Sequence, residues 1–167
     1  SIIVPVFNRP DEVGELLDSL SRQTVKDFEV VIVEDGSQRP CKDVCDGFTG
    51  KLDIKYFMKE NSGPGQSRNY GAERASGDYL IILDSDVVLP ESYLQAVSDE
   101  LSQEEADAFG GPDRSHPSFT DTQKAISYSM TAFLTTGGIR GGKKKLDKFY
   151  PRSFNMGIRR DAYQTLG

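Results

Sequence analysis

Histidine and cysteine are nearly absent from this chain: His116 stands alone, and Cys41 and Cys45 lie four apart with no second pair. A zinc site and a disulfide framework both need more of these side chains, so the two thiols are expected to be reduced, which points to a reducing compartment. No apolar run approaches the roughly 20 residues of a membrane span, and no basic, apolar and small-residue triplet marks a secretory leader. Positive charge is also short. With 20 Lys and Arg against 26 Asp and Glu, the net charge of −6 opposes nonspecific attraction to nucleic acid. What remains is a chain of 167 residues, 37% hydrophobic and 28% charged, which suits one globular domain with a real core.

The most informative stretch present is Gly77-Asp-Tyr-Leu-Ile-Ile-Leu-Asp-Ser-Asp86, an apolar run ending in two carboxylates. Tyr79–Leu83 reads as a strand buried on both faces. A period of two beyond it would send Asp84 and Asp86 to one side and Ser85 to the other, offering two hard oxygen ligands to Mg2+ or Mn2+. The plainer alternative, acidic capping of the next helix, is weakened because Val87, Val88 and Leu89 separate the pair from Pro90.

Earlier in the chain, Ser1–Val6 reads as a strand, and because the chain starts inside it we expect further sequence before Ser1. Pro10, Asp11 and Glu12 open a helix whose Val13, Leu16, Leu17 and Leu20 share one face. Phe28–Val33 is a second buried strand, ending in Glu34 and Asp35 before the turn residues Gly36 and Ser37. Asp35 either closes an Asx-turn or accepts a hydrogen bond from a nucleotide base or ribose. Residues 38–50 suit a short helix carrying both cysteines. Asp53–Phe57 is a third strand, and Asn61-Ser-Gly-Pro-Gly-Gln-Ser-Arg68 is a glycine-containing turn leading into a helix through Ala75. This is half of a dinucleotide fingerprint, with Arg68 where the third glycine belongs and no ribose-binding acid after it, so nicotinamide binding is disfavoured. A helix N-terminus beside a guanidinium suits a diphosphate instead. The pattern further predicts a helix over Pro90–Leu101, a strand over Ala106–Phe109, a helix-compatible segment over Ser118–Thr136, a mobile glycine-rich basic loop over Gly137–Lys145 that is either a plain disordered excursion or a lid over an anionic ligand, a strand over Ser153–Arg159 and a helix from Arg160. Alternating strands and helices of this kind make an α/β domain, a mostly parallel sheet with helices on both faces.

Taken together, Val4-Pro-Val-Phe-Asn-Arg9, Val33-Glu-Asp-Gly-Ser37, Asn61-Ser-Gly-Pro-Gly-Gln-Ser-Arg-Asn69, the Gly77–Asp86 stretch and Asn155-Met-Gly-Ile-Arg-Arg160 resemble the family 2 glycosyltransferases, which have the Rossmann-like GT-A fold. The resemblance implies transfer of a hexose-type sugar from a nucleotide diphosphate donor, most often a uridine one, to an acceptor hydroxyl with inversion and a divalent metal. By position, Pro5, Phe7, Arg9, Asp35, Arg68, Asp84 and Ser85 would border the nucleotide, Asp84 and Asp86 would hold the metal, and Asn155 would sit near donor sugar and acceptor. It further implies an acceptor glycan or lipid-linked saccharide, polysaccharide or glycolipid synthesis, and a cytoplasmic place, at the inner face of the membrane through regions outside this chain. Residues 1–110 would be the nucleotide-binding part and 111–167 a partial acceptor-side part of one domain, truncated at its C-terminus. The family's general base follows the Asn155–Arg160 type of segment, and neither Asp147 nor Asp161 matches its place. We therefore expect the base beyond Gly167, and residues 1–167 to bind donor but transfer sugar poorly or not at all.

Two alternatives stay open at this point. A noncatalytic nucleotide-sugar-binding domain would show the same motifs. Leu83-Asp-Ser-Asp-Val-Val-Leu89 also fits the signature of haloacid-dehalogenase-like phosphatases, with Asp84 as nucleophile and Asp86 as acid/base, although their paired acidic motif is missing.

Overall fold

The computed structural model describes residues 1–103, 105–110 and 155–166. Four apolar runs form strands: β1 (Ile2–Val6), β2 (Glu29–Asp35), β3 (Asp53–Lys59) and β4 (Tyr79–Leu83). Two later strands, β5 (Ala108–Gly110) and β6 (Asn155–Arg159), complete a sheet ordered β3-β2-β1-β4-β6-β5. The strands from β3 to β4 are parallel, whereas β6 runs antiparallel to both β4 and β5. The sequence pattern predicted the strands and the mostly parallel sheet. It did not predict that the last strand enters between β4 and β5.

Alternation along the central strands feeds two cores. Ile2, Val4, Val6, Val30, Ile32, Ile81 and Leu83 pack against α1 (Pro10–Ser21), α2 (Lys42–Asp46) and α4 (Tyr93–Gln103). On the opposite face, Ile3, Val31, Val33, Leu80 and Ile82 meet α3 (Pro64–Ala72) and α5 (Arg160–Leu166). The α1 helix follows its sequence signals, with Pro10 in the first turn and Val13, Leu16, Leu17 and Leu20 buried. The α3 helix lies unusually close to the sheet. A methyl group on Gly71 would come within 2.7 Å of Ile3 Cγ2 and 3.1 Å of Val33 Cγ2.

Boundaries differ from the sequence reading where hydrogen bonding decides them. Pro90 begins a turn rather than a helix, with Tyr93 N donating to Pro90 O at 3.0 Å, and α4 starts at Tyr93. The α3 helix ends at Ala72 rather than Ala75. Cys41 and Cys45 are free and buried, with their sulfurs 3.9 Å apart. The segments Ser118–Thr136 and Gly137–Lys145, and residue Asp147, lie outside the described residues.

Candidate active site

Loops leaving the carboxyl ends of β1, β2 and β4 meet the start of α3 around a cleft of about 380 Å³. This is the edge at which parallel α/β sheets bind ligands. Pro5, Val6, Phe7 and Arg9 line it from the first loop, Asp35 from the second, Pro64 and Arg68 from α3, and Asp84, Ser85 and Asp86 from the loop after β4. The structure thus brings together all eight residues that the sequence analysis placed at nucleotide and metal, and adds Val6 and Pro64. Asn155 is not on that wall. Its backbone pairs with Leu83, one residue before Asp84, and its Oδ1 accepts a 2.7 Å bond from the Tyr93 hydroxyl, whose pKa burial pushes up to about 12.

Asp84 and Asp86 reach the cleft by a different route from the one their spacing suggested. The strand stops at Leu83 and the chain turns over Ser85 and Asp86, so no strand period orders them. All three residues line the cleft, and Ser85 is buried at 6% exposure. Each carboxylate faces its own arginine: Arg68 Nη2 donates to Asp84 Oδ1 at 3.1 Å, and Arg9 Nη1 donates to Asp86 Oδ2 at 3.0 Å. The loop behind them is pinned by buried polar groups of and after α1. Ser19 Oγ accepts from Leu89 N at 3.2 Å, and Gln23 bridges Pro90 O and Leu94 N at 2.7 and 3.0 Å. Sequence reasoning missed both residues, since a polar side chain on an apolar helix face gives no sign of what it will bond.

Asp35 is only 4% exposed. Its Oδ1 accepts from Lys59 Nζ and Ser62 N, its Oδ2 from Gly63 N at 2.8 Å, and its main-chain oxygen from Asn61 Nδ2 at 2.9 Å. Burial pushes the Asp35 carboxyl up, but the Lys59 ammonium and the two amides outweigh it and hold the group below its ordinary value. The carboxylate therefore staples the 61–63 turn to β2, and sets Gly63, at φ 89°, as the residue before α3. Gly36, at φ 71°, permits this approach, because a side chain there would meet Asn61 N at 2.7 Å. Neither an Asx-turn nor a free ligand-binding acid describes Asp35 fully.

Two hard carboxylates on one cleft are the donor set of a Mg2+ or Mn2+ site that fills its remaining positions with water and phosphate oxygens. Among the described residues no group of three or more His, Cys, Asp or Glu is arranged to hold a metal by itself. The residues present therefore fit an ion shared with a ligand rather than a closed protein cage. Arg68 leaves its buried Nε without a hydrogen-bond partner among the described residues, and the α3 N-terminus has no side-chain cap. Both are donors for an anion.

Among curated proteins, the chain is 32% identical over 168 residues to glycosyltransferase GlyA of Streptococcus pneumoniae serotype 4, covering 99% of this chain and 22% of that one. It is 38% identical over 101 residues to a validoxylamine A glucosyltransferase of Streptomyces hygroscopicus, covering 58% and 24%. The chain spans well under half the length of these curated relatives, between 12% and 38% across eight of them. Among solved structures, S. aureus TarS 1–349 in complex with UDP-GlcNAc superposes with a TM-score of 0.66 at 28% identity, over 71% of this chain and 35% of that one. The mannosyltransferase PcManGT of Pyrobaculum calidifontis, in complex with GDP-Man and Mn2+, shares the fold with a TM-score of 0.77 at 19% identity, over 99% of this chain and 46% of that one. The model of the family described as glycosyl transferase family 2 matches residues 1–167, end to end across the sheet and cleft described above, and the chain belongs to that family, with the GT-A fold.

Proposed function

We propose that this chain is the donor-binding part of an inverting, metal-dependent glycosyltransferase that takes a sugar from a nucleotide diphosphate, a uridine one, and passes it to the hydroxyl of an acceptor glycan or lipid-linked saccharide. The observation that carries the reading is the convergence of Asp35, Arg68, Asp84, Ser85 and Asp86 on one cleft at the carboxyl edge of the parallel strands. The uridine preference is supported by TarS, solved with UDP and with UDP-GlcNAc at 28% identity. Family membership leaves the phosphatase alternative without support.

In this reading Phe7, half exposed on the cleft wall, gives the base an apolar face. Asp35 Oδ2, which among the described residues is engaged only by Gly63 N, accepts from the base or ribose. Arg68 and the uncapped α3 amides take the diphosphate. Asp84 and Asp86 hold a Mn2+ or Mg2+, which neutralises charge on the departing diphosphate. The carboxylates lining the cleft are all engaged in positioning or pairing, so none is assigned as base. We place the base beyond Gly167 and divide the chain into a nucleotide part, 1–110, and an acceptor-side part, 111–167. Comparing sugar transfer by residues 1–167 with that by the full-length protein checks this placement, since a positioned base contributes about 10²–10⁴-fold.

The direct test is calorimetry of uridine diphosphate with and without manganese. Asp86→Ala is expected to weaken binding in manganese about tenfold or more and to abolish the difference between the two titrations. Unchanged affinity with an unchanged manganese response would remove the metal from Asp86.

A further inference from the structure

Glu34 is fully buried at 0% exposure, one residue before Asp35, on the face of the sheet away from the 61–63 turn. A buried carboxylate is costly unless its lone pairs are met, and this one is met three times. Oε1 accepts from the Ser37 hydroxyl, and Oε2 accepts from Cys41 N at 2.7 Å and from the Tyr56 hydroxyl at 3.2 Å. Burial and the Glu34 charge together push the Tyr56 phenol upward, so it stays a donor. With its proton given to Glu34, Ser37 Oγ is free to accept, and it does so from Asn8 N at 2.7 Å. Asn8 returns the contact, its Oδ1 accepting from Gln38 N at 2.8 Å and Arg39 N at 3.0 Å. It holds φ at 58°, a conformation that few side chains other than asparagine adopt without strain.

Phe7 and Arg9, on either side of Asn8, line the cleft, and Asn8 does not. We propose that Glu34, Ser37 and Asn8 form a positioning relay that fixes the Phe7 and Arg9 wall for a nucleoside diphosphate, without touching the ligand. The inference rests on the donor-cleft reading above. It adds that one wall of that cleft is set by a buried acid on the next strand and not by its own loop. Pinning a wall before the ligand arrives removes an ordering cost from binding. The relay therefore acts on affinity, and its members act as one unit.

The experiment uses the full-length protein with uridine diphosphate and manganese, and guanosine diphosphate and manganese as second probe. Asn8→Gly keeps the backbone conformation and removes the acceptor, and Ser37→Ala cuts the relay at its centre. Each is expected to weaken diphosphate binding about tenfold, and the double variant no more than either alone, since the two break one network. Hydrogen exchange at Gln38 and Arg39 should rise in Asn8→Gly while the thermal midpoint stays near wild type, which separates loss of position from loss of fold. Should Ser37→Ala fail to fold, Asn8→Gly alone still decides by its affinity and exchange. Unchanged affinity in a folded Asn8→Gly, or losses that add in the double variant, would overturn the relay while leaving the donor cleft intact. Binding of neither diphosphate by the wild type would overturn the donor cleft and the relay with it.

Discussion

At the scale of single residues, the acids of the cleft differ in how far the protein engages them: the Asp35 carboxylate accepts three hydrogen bonds, whereas Asp84 and Asp86 each accept one, from Arg68 and Arg9. Asp35 shows what this means for mutation. Asp35→Ala should weaken nucleotide binding by about 1–3 kcal/mol, the range for a lost buried partner. It should also lower the thermal midpoint in the absence of any nucleotide, because Lys59, Ser62 and Gly63 lose their acceptor together. Calorimetry and thermal denaturation separate the two effects. A loss of affinity with an unchanged midpoint would mean the turn keeps its shape without the carboxylate. The sequence made Asp35, Asp84 and Asp86 visible because charge at the end of an apolar run is conspicuous. Glu34 was visible as charge but not as an anchor, and Asn8, Ser19 and Gln23 gave no signal, since their meaning lies in contacts from 29 to 71 positions away.

At the scale of elements, α1 and the four parallel strands were legible because their periodicity is strong and their stops are proline, glycine or carboxylate. The close packing of α3 was not. Arg68 stands where a dinucleotide fingerprint has its third glycine, and Gly71, one turn later, supplies the close helix–sheet contact instead. Gly71→Ala gains up to about 1 kcal/mol of helix propensity but drives a methyl into Ile3 and Val33, at about 1–3 kcal/mol. We expect a net loss of about 1–2 kcal/mol in denaturant unfolding, and a stabilised variant would show that α3 can move off the sheet. The opposite ends of the strands carry a second electrostatic clamp. Glu29 on β2 pairs with Lys55 on β3 and accepts from Ser76 Oγ at 2.9 Å in the loop before β4. Burial pushes its carboxyl up, but Lys55, Ser1 and Ser76 bring it from 4.5 to about 2. Its folded pKa is depressed, so the stabilisation is present above about 4.5 and fades as pH falls toward 2. At about 1.4 kcal/mol per unit this amounts to at most about 3.5 kcal/mol, reduced by screening because Lys55 is 37% exposed. Glu29→Gln should flatten the acid limb of stability against pH, and an unchanged limb would assign it to other carboxylates.

At the scale of the whole molecule, the sheet is assembled out of chain order. The first four strands are complete once Leu83 has been made, yet among the described residues β5 touches the sheet only through β6, which follows residues 111–154 in the chain. Sequence pattern could place each strand but not this order, because a strand's neighbours are chosen by the whole sheet. During synthesis at about 5–20 residues per second, the free side of β4 waits for several seconds before Asn155–Arg159 emerges to pair with it. A waiting edge of Tyr-Leu-Ile-Ile-Leu is a template for strands of other nascent chains. Residues 1–110, which hold all the described residues that line the cleft, are therefore not expected to fold as a unit of their own. Light scattering should show the 1–110 piece self-associating, and hydrogen exchange should show Tyr79–Leu83 unprotected in it and protected in the longer chain. A monomeric, protected 1–110 would mean that β4 needs no partner on that side. The ribosome thus delivers the binding cleft early and its closing strand late, which makes this interval the point at which a chaperone would matter most.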